Sequence, residues 1–225
     1  MIELYFWTTP NGMKPLIFLE ESGLDHDLHP VDISKGAQFD PSFTRISPNQ
    51  KIPAIVDRGP AGGGAPLTLF ESGAILHYLA EKAGRFLPQA PHSRTEVMQW
   101  LFWQMAGLGP MLGQYMHFAL YADQPIPYAQ GRYGREKERL YQVLDERLRD
   151  REFVAGDYSI ADMASFPWIH RLEREGSHLD GFTNLKRWHD AIAQRPAVER
   201  AYARAADINT TPTVNADSRK VLLGA

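Results

Sequence analysis

Two neighbouring stretches decide the fold of this chain: Ile46-Ser-Pro-Asn-Gln-Lys-Ile-Pro-Ala-Ile-Val-Asp57 and Leu67-Thr-Leu-Phe-Glu-Ser-Gly-Ala-Ile-Leu76. Lys51–Asp57 and Leu67–Phe70 are short apolar runs. The loop Arg58-Gly-Pro-Ala-Gly-Gly-Gly-Ala-Pro66 between them is turn chemistry, so the pair reads as a β-hairpin. Glu71-Ser72-Gly73 then opens a helix that runs to about Ala83. Working outward, Glu3-Leu-Tyr-Phe-Trp7 reads as a strand and Thr8-Thr-Pro-Asn-Gly12 as a turn. Lys14 to Ser22 reads as a helix that Gly23 ends with a left-handed cap, and His29-Pro-Val-Asp-Ile33 as a second strand. The order β-α-β, irregular, β-β-α implies a small mixed α/β sheet covered by helices.

From Ser93 onward the pattern is helical. Ser93–Leu120 places Val97, Leu101, Leu108 and Leu112 at helical spacings, and Tyr128–Asp150 does the same with Leu140, Val143, Leu144 and Leu148. Ile160–Glu173 and Leu185–Gln194 follow as shorter helices. Two prolines in Phe86-Leu-Pro-Gln-Ala-Pro-His92 disfavour a continuous helix and mark a linker. The expected organisation is an α/β domain over 1–85, a linker over 86–92, an all-helical domain over 93–206 and an irregular tail over 207–225. That tail is expected to order only where a partner chain pins it. Charge agrees with the split: residues 1–90 hold seven Lys/Arg and ten Asp/Glu, the remainder seventeen of each.

Composition excludes several function classes. The 225 residues are 44% hydrophobic and 23% charged, ordinary globular values, and the net charge of −3 gives no basic field for nucleic acid or anionic membrane. There is no cysteine, which removes disulfides, thiolate metal sites and a cysteine nucleophile supplied by the protein. The start lacks a signal-peptide pattern, and no stretch approaches the ~20 apolar residues of a membrane span. The expectation is therefore a cytoplasmic protein. His26-Asp-Leu-His29 lacks a third ligand at helical spacing, so no metal is expected. Gly62-Gly-Gly64 lacks the Lys-Ser/Thr of a phosphate loop and reads as a hairpin tip. Ser159-Ile-Ala-Asp162 is a capping box with a folding role.

A βαβ-ββα unit followed by helices resembles the glutathione transferase superfamily. Thr8-Thr-Pro-Asn-Gly12, Gly36-Ala-Gln-Phe39, Ile46–Val56 and Leu69–Leu76 are similar to glutathione-binding segments of the bacterial Nu class. Gln99-Trp-Leu-Phe-Trp-Gln-Met-Ala-Gly-Leu-Gly-Pro110 is similar to that class's first long helix. The resemblance implies a thioredoxin-like N-terminal domain and an all-α C-terminal domain. It also implies a homodimer, glutathione as co-substrate, and disulfide-bond reduction on a small or protein disulfide.

Residue by residue, the resemblance makes Pro53 cis and lets the Ile52 backbone pair with the cysteinyl unit of glutathione; by itself Pro53 reads as a trans proline opening a strand. Ser72 can bind the γ-glutamyl carboxylate through its hydroxyl and a helix N-terminus, and Glu71 suits the neighbouring ammonium. Without the resemblance, Ser72 is an ordinary helix-capping serine. Gln38 and Lys51 fall in segments that meet the glycyl end and backbone. Arg132 faces a carboxylate of a second glutathione, although its charged neighbours read as a solvated face. Gln99 reaches a partner subunit's γ-glutamyl group.

Thr9 and Asn11 take the place where such enzymes activate the thiol. An ordinary thiol has a pKa near 8.5, so only about 3% is thiolate at pH 7, and lowering it by two units takes roughly 2.7 kcal/mol. A helix N-terminus offers ~0.3–1 kcal/mol and a hydrogen bond to charge ~1.5–3, so one or two donors suffice. Tyr5 is the poorer candidate, since strand alternation makes it a packing residue. Three functions remain open on sequence: disulfide reduction, conjugation of electrophiles or hydroperoxide reduction, and a non-catalytic scaffold.

Overall fold

In a computed structural model, β1 (Ile2–Phe6), α1 (Pro10–Ser22), β2 (His26–Pro30), α2 (Pro41–Thr44), β3 (Ala54–Asp57), β4 (Leu67–Phe70) and α3 (Ser72–Ala83) follow one another. The strands form one sheet in the order β2-β1-β3-β4, with β1 parallel to β2 and antiparallel to β3, and β4 antiparallel to β3. This is the thioredoxin-like arrangement. The structure describes residues 1–174, 176, 178–211, 213–215 and 218–223. They fall into two compact units, 1–85 with 195–225 and 86–194.

Strand alternation sends Leu4 and Phe6 to one face of the sheet and Tyr5 to the other. Leu4, Phe6, Leu16, Ile17, Leu76 and Leu79 are fully buried. Val31, Phe43 and Ala54 make a second cluster with Tyr5, Ile33 and Ile52. The second strand lies earlier than the pattern of Val31 and Ile33 indicates, ending at Pro30. Asp32 is the reason: its carboxylate accepts the Ser34 N–H at 3.1 Å, and Gly36 at φ 83° closes a tight 3-10 turn over Ile33–Lys35. The third strand starts only at Ala54. Before it, the Ser47 hydroxyl donates to the Lys51 carbonyl at 2.8 Å, and the Ile52–Pro53 peptide is cis.

Helix α9 (Pro196–Ile208) packs against α1 and so groups with the first unit rather than with the helices that precede it. Its buried stripe of Ala197, Val198, Ala201 and Ala205 is small and lets the two helices approach closely. Glu20 fastens the pair, accepting from Arg204 at 2.6 Å and Arg200 at 3.0 Å, while Arg195 forks onto Glu21. Burial pushes the Glu20 carboxyl up, but the Arg204 and Arg200 hydrogen bonds outweigh it and hold the group below its usual range. A lowered carboxyl stabilises the fold above the ordinary carboxylate pKa, and that stability is lost as pH falls. Glu20→Gln is therefore expected to lower urea-unfolding stability by about 1–2 kcal/mol at pH 7, after allowing for the exposed arginines. The deficit should shrink below pH 4. Beyond Asn209, α10 (Arg219–Leu223) rests on the Ile33–Lys35 turn.

The second unit holds α4 (Pro91–Trp103), α5 (Gly109–Met116), α6 (Pro127–Arg147), α7 (Ile160–Arg174) and α8 (Thr183–Ala193). The expected long helix over 93–120 is interrupted by π-helical turns at Gln104–Leu108 and His117–Tyr121. Pro110 has no N–H to give to the ladder, and a Cβ on Gly109 would stand 2.8 Å from the Gln104 amide and 3.2 Å from the Trp168 indole nitrogen. The helix widens there to let Trp168 in. Among the described residues, no helix is long and apolar enough to cross a membrane.

Candidate functional site

Thr9 caps α1, with extended backbone at φ −111° and ψ 161°, and its Oγ1 accepts the Gly12 N–H at 3.2 Å. Pro10 starts the helix, four residues before the pattern of apolar side chains does, and this places half-buried Asn11 in the first turn. The Thr9 oxygen is engaged as an acceptor, so its O–H proton remains a donor. First-turn N–H groups lack intrahelical partners and carry the positive end of the helix dipole. Gly12 makes the turn possible: a Cβ there would sit 2.1 Å from the Trp7 carbonyl oxygen. The turn thus presents donors and positive potential, which suits a thiolate.

Tyr5 does not compete for that role. Its hydroxyl donates to the Glu3 carboxylate at 3.3 Å, and its ring stacks on His29. Burial and then the Glu3 charge raise its pKa, so it stays a phenol at neutral pH.

The start of α3 forms a second polar corner of the same unit. Glu71 is exposed at φ 70° and ψ 111°, a backbone region that non-glycine residues rarely occupy, and Ser72 behind it is only 4% exposed. The far end of α3 is held by Asp57, a buried carboxylate that accepts from Tyr78 at 2.6 Å and Gly59 at 2.9 Å and pairs with Lys82 at 2.8 Å. Burial raises the Asp57 carboxyl, but Lys82, Tyr78 and Gly59 together bring it below its usual range; Tyr78 in turn is pushed up to about 12.

Sequence reasoning passed over Lys14, which donates to the Ser72 hydroxyl at 3.3 Å across 58 residues of chain. It is 1% exposed. Burial pushes its pKa down to about 7, with the Glu71 charge pulling upward. A signal did exist, since Lys14 is the one charged residue inside the apolar run Met13–Leu19. A charged side chain buried in an apolar run needs a polar partner, and the run around Lys14 itself supplies none.

The same unit holds Ile52, half-buried at the cis peptide, exposed Lys51, and Gln38 on a 3-10 turn over Ala37–Phe39. Gln38 is 6% exposed, and its Oε1 is buried without a protein donor. Eight of the ten expected site residues thus belong to the first unit. Gln99 and Arg132 belong to the second and lie exposed on α4 and α6. Arg132 lines a recess of about 370 Å³ with Met111, Tyr133, Arg135, Glu136 and Arg139. No group of three or more metal-ligating side chains occurs among the described residues.

The model of the glutathione S-transferase N-terminal domain matches residues 1–81 and that of the C-terminal domain residues 129–196. The chain is 54% identical over 206 residues to the disulfide-bond oxidoreductase YfcG of Escherichia coli, covering 91% of this chain and 96% of that protein. A glutathione transferase family member from Pseudomonas fluorescens, solved with two glutathione bound, shares 45% identity at a TM-score of 0.84, over 89% of this chain and 91% of that one. A glutathione transferase from Pseudomonas putida, solved with one glutathione disulfide per subunit, shares 43% identity at a TM-score of 0.85, over 89% and 90% of the two chains. With a thioredoxin-like unit, a helical unit and relatives of this similarity along nearly its whole length, the chain belongs to the glutathione S-transferase family.

Proposed function

We propose that this protein is a glutathione-dependent disulfide-bond oxidoreductase of the Nu class, acting as a cytoplasmic homodimer. The observation that carries the reading is the absence of cysteine from a chain whose relative YfcG is named for disulfide-bond oxidoreduction. The reactive thiol must then arrive with the ligand. Bound glutathione attacks a disulfide, and a second glutathione resolves the mixed disulfide, so that two thiols and one oxidised glutathione leave.

The protein's part is to hold peptide and charge. The Thr9 hydroxyl, the Asn11 amide and the α1 N-terminus donate to the thiolate, which together supplies the ~2.7 kcal/mol that two pKa units require. The Ile52 backbone pairs with the cysteinyl unit. Gln38, whose buried oxygen has no protein donor, and Lys51 take the glycyl half. Glu71 holds the α-ammonium and Ser72 the γ-glutamyl carboxylate. Arg132 faces a carboxylate of the second glutathione, and Gln99 reaches the partner subunit's γ-glutamyl group. Two glutathiones in the Pseudomonas fluorescens relative support a site of this capacity.

Steady-state reduction of hydroxyethyl disulfide tests the reading. The wild type should turn over with saturation in glutathione, and Thr9→Ala and Asn11→Ala should each lower kcat/KM by about 10- to 100-fold, the loss of one hydrogen bond to charge. Undetectable wild-type turnover overturns it. Sedimentation should give a dimer, and a 25.5 kDa species at micromolar concentration contradicts that part.

A further inference from the structure

We propose that Lys14 is a positioning residue for the γ-glutamyl carboxylate of glutathione and acts through the Ser72 hydroxyl. The inference rests on the proposed glutathione site and adds to it a residue from the interior of α1. An ammonium has donors only, so the Lys14–Ser72 bond of 3.3 Å uses a lone pair of Ser72 Oγ. The Ser72 O–H can donate while its oxygen accepts from Lys14, and donation is the polarity that a carboxylate needs. A serine that only capped α3 would accept from that helix's backbone and would have no need of a cation behind it.

Burial makes the same point. Lys14 is 1% exposed and Ser72 4% exposed, in a helix whose residues from Met13 to Leu19 are otherwise apolar and buried. A methionine would fill that volume without the desolvation that drives the lysine pKa down to about 7. The charge is kept where an anion gains from it: behind Ser72, at the N-terminus of α3, beside a Glu71 held at φ 70°. Glu71 on the outer side and Lys14 on the inner side set opposite charges against the two ends of a zwitterionic α-amino acid group. Ser72 is the group through which Lys14 meets the acid.

Titration calorimetry on the full chain tests this with two ligands, glutathione and an analogue whose γ-glutamyl carboxylate is replaced by a carboxamide. Lys14→Met and Ser72→Ala are each expected to weaken glutathione binding about 10- to 100-fold. The double variant should be no weaker than Ser72→Ala alone, because the lysine acts through the serine. For the carboxamide, Lys14→Met should bind within threefold of the wild type. Lys14→Gln, neutral but polar, should repeat the pattern. Unchanged glutathione affinity in Lys14→Met, additive losses in the double variant, or equal losses for both ligands would each overturn the role. A wild type that binds neither ligand would instead sink the glutathione site itself.

Discussion

Asp162→Ala should lower the unfolding free energy by about 3–5 kcal/mol, because four buried neutral donors lose their acceptor at once. Asp162 is fully buried at the start of α7 and accepts four hydrogen bonds: from Val154 N at 2.9 Å, Ser159 N at 3.0 Å, Ser159 Oγ at 3.1 Å and Trp188 Nε1 at 2.8 Å. Burial raises its pKa in spite of those donors. Each orphaned buried donor costs about 1–3 kcal/mol, less whatever the site recovers by relaxing. The carboxylate joins the loop before α7, the cap of α7 and the core tryptophan of α8, so three elements loosen together. Asp162→Asn keeps one acceptor oxygen but turns an NH₂ toward donors, and should recover only part of the loss. Urea unfolding at pH 7 measures both. A loss below about 1 kcal/mol for the alanine variant would show that the network is dispensable.

Lys14→Met should change how stability depends on pH. The folded-state pKa of about 7 lies below the ordinary lysine value of 10.5. Between those values the unfolded chain binds more protons, so Lys14 makes stability rise with pH at about 1.4 kcal/mol per unit. Below pH 7 the cost of burying the cation is fully present, and above 10.5 it is gone. Lys14→Met lacks this slope. Relative to the methionine variant, the wild type should therefore gain roughly 2.7 kcal/mol between pH 7.5 and 9.5. Parallel stability curves over that window would mean that Lys14 titrates as an ordinary lysine. The variant should also be the more stable protein at pH 7 while binding glutathione less well, a trade of stability against function.

The contrast between Ser72 and Lys14 shows what sequence can and cannot carry. The hairpin and the α3 start were legible because turn chemistry and short apolar runs are local: Leu67–Phe70 is the strand as read, and the helix begins one residue from Glu71. His29–Ile33 was misread because Asp32 and Gly36 build a turn that alternation alone does not reveal. Helix α9 was not separated from the preceding helices, although Pro196 and its alanine stripe are visible signals. Its place against α1 depends on Glu20 and Glu21 meeting arginines some 174 to 184 residues away. The site residues came from resemblance to a family. Lys14 stands out locally as a charge in an apolar run, but its partner lies 58 residues downstream and only the fold brings the two together.

In the proposed function, a cysteine-free transferase-like site runs disulfide exchange on a thiol supplied by its ligand. Its most direct test compares kcat/KM for hydroxyethyl disulfide with those for an aryl halide and a hydroperoxide, using one enzyme preparation and one saturating glutathione concentration. The disulfide should be turned over most efficiently of the three. An aryl halide or hydroperoxide processed faster than the disulfide would contradict it.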